Sequence, residues 1–206
     1  MTPPAPPRAT HLLYLHGFRS SPRSAKALRM AQWVAEQRPG LVFAAPQLPP
    51  SPREALALML ELTRNWPRES MAVMGSSLGG FYATVLSQQP GFEGCRAALL
   101  NPAVDPARDL AAYIGEQQCW QDPDQHFFFR PEFVDELRLL MPDLAAPLLA
   151  PGRLCAVIAK GDELLDWHEM LGRYRAAGRV LLLEGSDHGL SDFDDHLPSL
   201  IDFLHL

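Results

Sequence analysis

Residues 71–80 read Met71-Ala72-Val73-Met74-Gly75-Ser76-Ser77-Leu78-Gly79-Gly80, and Phe81-Tyr82-Ala83-Thr84-Val85-Leu86 follows at once. An apolar run, a Gly-x-Ser-x-Gly turn and a helix-forming stretch in that order make a strand–turn–helix unit. Such a unit pushes one serine hydroxyl out of the backbone. The turn holds that serine in a sparsely populated φ/ψ region, so the residues two before and two after it must lack side chains. Gly75 and Gly79 occupy those two places around Ser77. With 14 glycines in the chain, composition alone would yield the pattern about 0.05 times. The plainer account of such a turn is a Gly-rich βα connection that packs a helix closely or cradles a phosphate. The flanking run and helix favour a nucleophilic serine.

Outward from this unit, short apolar runs alternate with helix-period stretches. Strands are predicted at 11–16, 41–45, 71–75, 97–100, 154–159 and 180–184. They are apolar at both alternating positions, as in parallel strands covered on both faces. Ser21-Pro22 is a helix-start signal followed by a stripe of Ala27, Leu28, Ala31, Val34 and Ala35. Residues 52–64, 78–89, 167–177 and 196–205 also read as helices. The alternation predicts an α/β fold with a mostly parallel sheet of about six strands and helices on both faces. Some fifty residues separate the fourth and fifth strands, too many for one crossover helix. They hold helix candidates at 105–117 and 131–140 and an aromatic stretch from Trp120 to Phe127-Phe128-Phe129. The expected organisation is a flexible tail over 1–9, one domain over 10–206, and a helical, cap-like insertion over about 102–150.

Ligands of an open α/β sheet bind beyond the carboxyl ends of the strands. His16-Gly17-Phe18 follows the first strand, Ser77 the third, Gly161-Asp162-Glu163 the fifth, and Gly185-Ser186-Asp187-His188-Gly189 the sixth. Serine, acid and histidine therefore fall at strand ends in the order Ser…Asp…His. A serine hydroxyl needs a base at neutral pH, and His188 is the candidate. Asp162, directly after its strand, is the expected partner of the imidazole. Asp166 is the alternative acid, although it is also placed to cap the next helix. Asp187, adjacent in sequence to His188, points poorly for the task. The backbone N–H groups of Phe18 and Leu78 are the expected oxyanion donors, and His16 is read as ordering the loop.

The net charge of −6 argues against a nucleic-acid or anionic-membrane partner. No run reaches membrane-spanning length, so no stable membrane insertion is expected. The start lacks a signal core and a cytoplasmic location is expected. Cys95, Cys119 and Cys155 are too few and scattered for a disulfide framework or a Cys-rich zinc site, and Cys95 and Cys155, beside or within apolar strand-like runs, read as buried free thiols. Asp187, His188, Asp192, Asp194, Asp195 and His196 crowd one stretch, but no pair has the spacing of a formed metal site. Neither metal nor cofactor is expected, and no nucleotide-binding glycine motif is present.

Several blocks of this sequence also resemble a known family. They are Tyr14-Leu15-His16-Gly17-Phe18, Ser21-Pro22-x-Ser24-x-Lys26, Gly75 to Ala83, Leu100-Asn101-Pro102-Ala103-Val104, Gly161-Asp162-Glu163-x-Leu165-Asp166 and Gly185-Ser186-Asp187-His188. The chain resembles an α/β-hydrolase, specifically the small bacterial YqiA/YcfP-type (UPF0227-like) esterases. The resemblance implies a sheet lacking the first two strands of larger relatives. It implies a catalytic triad of Ser77, Asp162 and His188, and a serine esterase acting on short-chain acyl esters or thioesters through an acyl-enzyme. A small-molecule ester is then the expected partner. Two alternatives stand beside it. One is an acyl-CoA thioesterase or lysophospholipase on the same residues, with Arg19, Arg23 and Lys26 meeting phosphates rather than forming a solvated helix start. The other is a catalytically silent binding protein with the hydrolase fold.

Overall fold

The computed structural model describes residues 7–206, so residues 1–6 of the expected tail lie outside the described residues. Ala9 is buried, and its N–H donates to the carbonyl of His205 at 2.8 Å.

Six strands form one sheet: β1 (His11–Leu15), β2 (Val42–Ala44), β3 (Met71–Ser76), β4 (Arg96–Leu100), β7 (Leu154–Ala159) and β8 (Arg179–Leu183). Their order is β2-β1-β3-β4-β7-β8, and every neighbouring pair runs parallel. Alternation along the strands divides the core into two layers. Leu13, Leu15, Val73, Leu99 and Ile158 face one layer. It is covered by α2 (Pro52–Leu62), α3 (Leu78–Ser87), α5 (Pro131–Leu140) and α6 (Trp167–Tyr174). Leu12, Tyr14, Met74, Leu100 and Val157 face the other layer, under α1 (Ala25–Gln37) and α7 (Phe193–Leu204). Both sides are thus apolar because both are covered. All ten residues of α3 are buried, and its weakly amphipathic, apolar sequence is that of a central helix.

Two elements depart from the sequence reading. Helix α1 starts at Ala25 with Ser24 at its cap, rather than at Ser21-Pro22. The Ser21 hydroxyl instead accepts the Arg23 N–H in a turn. Contacts from the insertion hold that turn: Trp120 N–H donates to the Arg19 carbonyl at 2.8 Å, and Arg23 pairs with Asp122.

The insertion itself is only partly helical. α4 (Pro106–Leu110) is capped by Asp105 and followed by a 3₁₀ turn to Tyr113, after which Gly115 at φ 131° redirects the chain. An antiparallel hairpin of β5 (Gly115–Cys119) and β6 (Asp122–Phe129) follows. The helix expected over 105–117 is therefore cut to its first turn and a half. Phe129 is buried and Phe127 partly so, whereas Phe128 between them is 58% exposed. Phe127 and Phe129 pack edge-on against Phe18 at 5.8 and 5.1 Å between ring centres. The hairpin shares a small aromatic core with the loop after β1.

Candidate active site

The turn at Ser77 is as tight as the glycines require. A Cβ on Gly75 would lie 2.1 Å from the carbonyl oxygen of Gly79, and one on Gly79 would lie 2.0 Å from that of Leu15. Ser77 sits at φ 56°, ψ −119°, a conformation outside the allowed regions for a side-chain-bearing residue. Its neighbours hold it there. Ser77 N–H donates to the Leu100 carbonyl at 2.9 Å, while the Ser77 carbonyl accepts the N–H groups of Gly80, Phe81 and Ala103 at 2.9, 3.2 and 3.1 Å.

The serine oxygen lies 3.0 Å from His188 Nε2, and His188 Nδ1 lies 2.8 Å from Asp162 Oδ2. A carboxylate only accepts, so Nδ1 carries the proton and Nε2 is free to accept the serine hydroxyl. The Asp162 side chain has no exposed surface, and that of His188 is 16% exposed. The second Asp162 oxygen accepts the N–H groups of Leu164 and Leu165 at 2.9 and 2.8 Å, which orients the carboxylate. Asp166 is not at this site. It caps α6 by accepting the His168 N–H at 2.8 Å, and its carboxyl is held below its ordinary range by backbone and side-chain hydrogen bonds from His168. The Asp187 carboxylate accepts the Ser191 N–H at 2.9 Å, while the His188 ring nitrogens meet Asp162 and Ser77.

The loop after β1 lies against Ser77: a Cβ on Gly17 would be 3.7 Å from the serine oxygen. His16 Nε2 accepts the Leu48 N–H at 3.0 Å, which leaves Nδ1 protonated to donate to the Gly17 carbonyl at 2.9 Å. Burial lowers the pKa of this imidazole, in keeping with a neutral ring. In a trans peptide the N–H points opposite the C=O, so His16 also fixes the direction of the Phe18 N–H. Leu78 is the first residue of α3, where N–H groups lack helical partners and the helix dipole favours negative charge. Among the described residues neither Phe18 N–H nor Leu78 N–H donates to a protein acceptor.

A cavity of about 720 Å³ opens at Ser77 and His188, walled by Phe18, Leu110, Tyr113, Trp120, Leu164 and Leu165. This lies within the range of small-molecule sites. A smaller cavity of about 150 Å³ shares Gly17 and Phe18 with it and is walled by Leu78, Tyr82, Phe127 and Phe129.

The basic residues near the mouth are already engaged. Arg19 stacks on Trp120 at 4.0 Å and donates to the Gln118 carbonyl, Arg23 pairs with Asp122, and Lys26 donates to the Gly189 carbonyl. They tie the hairpin and the histidine loop to the β1 loop. The acidic stretch near the C-terminus is likewise structural. Asp192 bonds Ser186 and His196, and Asp194 pairs with Arg29. Among the described residues no three His, Cys, Asp or Glu side chains converge as a metal site. All three cysteines are buried and free.

Three contacts of the histidine loop escape a reading along the sequence. Glu163 accepts the His188 N–H at 3.0 Å, Lys26 reaches Gly189, and Asn101 bonds the carbonyls of Asp187 and His188. All three sit inside motif blocks, but nothing local indicates their partners.

Solved structures with this arrangement of strands and helices include the mouse alpha/beta hydrolase domain-containing protein 10. It is 15% identical with a TM-score of 0.70, over 99% of this chain and 91% of that one. A metagenome-derived lipolytic enzyme from the LipS and LipT pair is 20% identical with a TM-score of 0.68, over 96% and 94%. An esterase of Pyrococcus furiosus is 16% identical with a TM-score of 0.59, over 97% and 83%. At these identities the likeness is one of fold. The sequence profile of the Uncharacterised protein family (UPF0227) matches residues 11–205. With that match over nearly its whole length, and with the α/β-hydrolase fold, the chain belongs to the UPF0227 family.

Proposed function

We propose that the protein is a serine esterase that hydrolyses small acyl esters through an acyl-enzyme. The observation that carries this reading is the hydrogen-bonded line from Ser77 Oγ through His188 to buried Asp162 at the mouth of a cavity of about 720 Å³. That esterases and a lipolytic enzyme share the fold supports it as well.

In the proposed cycle Ser77 Oγ attacks the ester carbonyl while its proton passes to His188 Nε2. Asp162 stabilises the imidazolium so formed and keeps the ring in the productive tautomer. The negative oxygen of the tetrahedral adduct accepts hydrogen bonds from the Phe18 N–H in the loop after β1 and from the Leu78 N–H at the start of α3. Its collapse breaks the bond to the alcohol, which leaves with the proton from His188. Water then attacks the acyl-enzyme, again losing its proton to His188, and Ser77 recovers that proton as the acid departs. The insertion over 102–150 would shape the acyl or alcohol side of the cavity through Tyr113 and Trp120. Use of acyl-CoA thioesters is a weaker reading, because Arg19, Arg23 and Lys26 already have partners.

The test is hydrolysis of p-nitrophenyl acyl esters and acyl-CoA thioesters by the wild type and by Ser77→Ala. Ester turnover that disappears in the variant while circular dichroism is unchanged is the expected result. No turnover by the wild type, or turnover unaffected by Ser77→Ala, would refute the proposal and favour a binding role for the same cavity.

A further inference from the structure

Asn101, immediately after β4, is wholly buried and holds φ 40°, a left-handed backbone that asparagine accepts more readily than most residues. Its side-chain oxygen accepts the N–H of Ala159, the last residue of β7, at 2.8 Å. Its amide nitrogen donates to the carbonyls of Asp187 at 3.0 Å and His188 at 3.2 Å. These partners dictate the amide orientation, since a backbone N–H only donates and the two carbonyls only accept. One side chain thus joins the strand that leads to Asp162 with the loop that carries His188.

We propose that Asn101 is a positioning residue for the hydrolysis proposed above, holding the 187–188 backbone against the end of β7 so that the His188 ring spans Asp162 and Ser77. The inference rests on that reading of the three residues. The loop needs such a tie. Ser186 within it is at φ 67°, and the other ties on the His188 and Gly189 backbone come from exposed Glu163 and half-buried Lys26. Exposed hydrogen bonds compete with water, whereas a buried amide facing two carbonyls has no alternative partner. The charged groups around His188 are Asp162, Glu163, Asp187 and Lys26. Asn101→Gly alters none of them, so a change in its pH profile reports geometry, whereas Asn101→Asp adds a carboxyl beside the loop and is read by kcat and KM alone.

Two variants test the assignment. Asn101→Gly removes the amide and accepts the positive φ. Asn101→Asp keeps the shape and the acceptor for Ala159 but turns an oxygen toward two carbonyl oxygens. With p-nitrophenyl butyrate, well below the melting temperature, each folded variant is expected to lose about 10–100-fold in kcat with KM nearly unchanged. In Asn101→Gly the acid limb of the kcat/KM profile should move to lower pH, because a displaced Asp162 supports the imidazolium less. A lowered melting temperature with unchanged kcat per folded molecule and an unchanged pH profile would overturn the proposal. So would failure of both variants to fold, which would make Asn101 a structural residue. If the wild type hydrolyses no ester, the function proposed above fails separately. The positioning role is then read from the proton NMR signal of His188 Nδ1–H. Its loss or displacement in Asn101→Gly supports the role, and an unchanged signal overturns it.

Discussion

The backbone at Ser77 makes a quantitative prediction about stored strain. A residue with a side chain at φ 56°, ψ −119° costs on the order of 1–3 kcal/mol, tolerated because the surroundings over-determine it. Four backbone hydrogen bonds to Ser77 do so here. Ser77→Ala and Ser77→Gly both delete the oxygen that meets His188, and both should abolish ester hydrolysis. They differ in strain. Glycine is free to adopt this conformation, at a cost of about 0.5–1 kcal/mol in chain entropy relative to alanine. The glycine variant should therefore be more stable than the alanine variant by about 0.5–2 kcal/mol. For a domain of this size each kcal/mol moves the melting temperature by about 2–4 °C. Scanning calorimetry should then place Ser77→Gly about 1–8 °C above Ser77→Ala. A glycine variant melting about 1–4 °C below the alanine variant, the entropy cost alone, would show that the turn holds no strain and would sink the argument.

Other consequences are checked more briefly. Asp162→Asn should lower kcat by about 10⁴-fold, because the amide no longer enforces the Nδ1–H tautomer of His188. Asp166→Asn should leave kcat near wild type and lower only the melting temperature, through the weakened cap on α6; the reverse order would move the acid to Asp166. His16 is held neutral by burial and by accepting the Leu48 N–H. The unfolded chain takes up its proton at about pH 6.5 while the native protein resists. Stability should thus fall as pH drops below about 6.5 until the lower native value is reached. Urea midpoints of His16→Gln should fall less over that window than those of the wild type; parallel slopes would count against a neutral buried His16. Trp120→Ala removes a cavity wall and the stack under Arg19, so activity should shift toward bulkier p-nitrophenyl esters. An unchanged preference would place substrate elsewhere in the cavity.

Much of the architecture was readable from neighbours in sequence. The six strands are short apolar runs bounded by helix signals, and each appears within a residue or two of its expected limits. Gly75 and Gly79 mark the turn around Ser77 because the clash they avoid is local. The double role weighed for Asp166 was also decidable locally, since a cap bonds a residue two positions away. The hairpin was not readable in this way. Three consecutive phenylalanines hide the alternation that separates buried Phe127 and Phe129 from exposed Phe128, and the helix-like start at Asp105-Pro106 runs on only until Gly115. The late start of α1 has the same origin: Arg19 and Arg23 bond residues about a hundred positions further along the chain.

By itself the sequence determined the α/β alternation, the tight turn at Ser77 and the set of strand ends where an acid, a base and a serine stand. These depend on periodicity, caps and clashes among residues a few positions apart. Only the tertiary structure decided that Asp162 meets His188, that Asn101 holds its loop, and that the hairpin walls the cavity. Those contacts span 26, 86 and 99 residues. Nothing in the local chain energetics selects them until β4, β7 and β8 lie side by side.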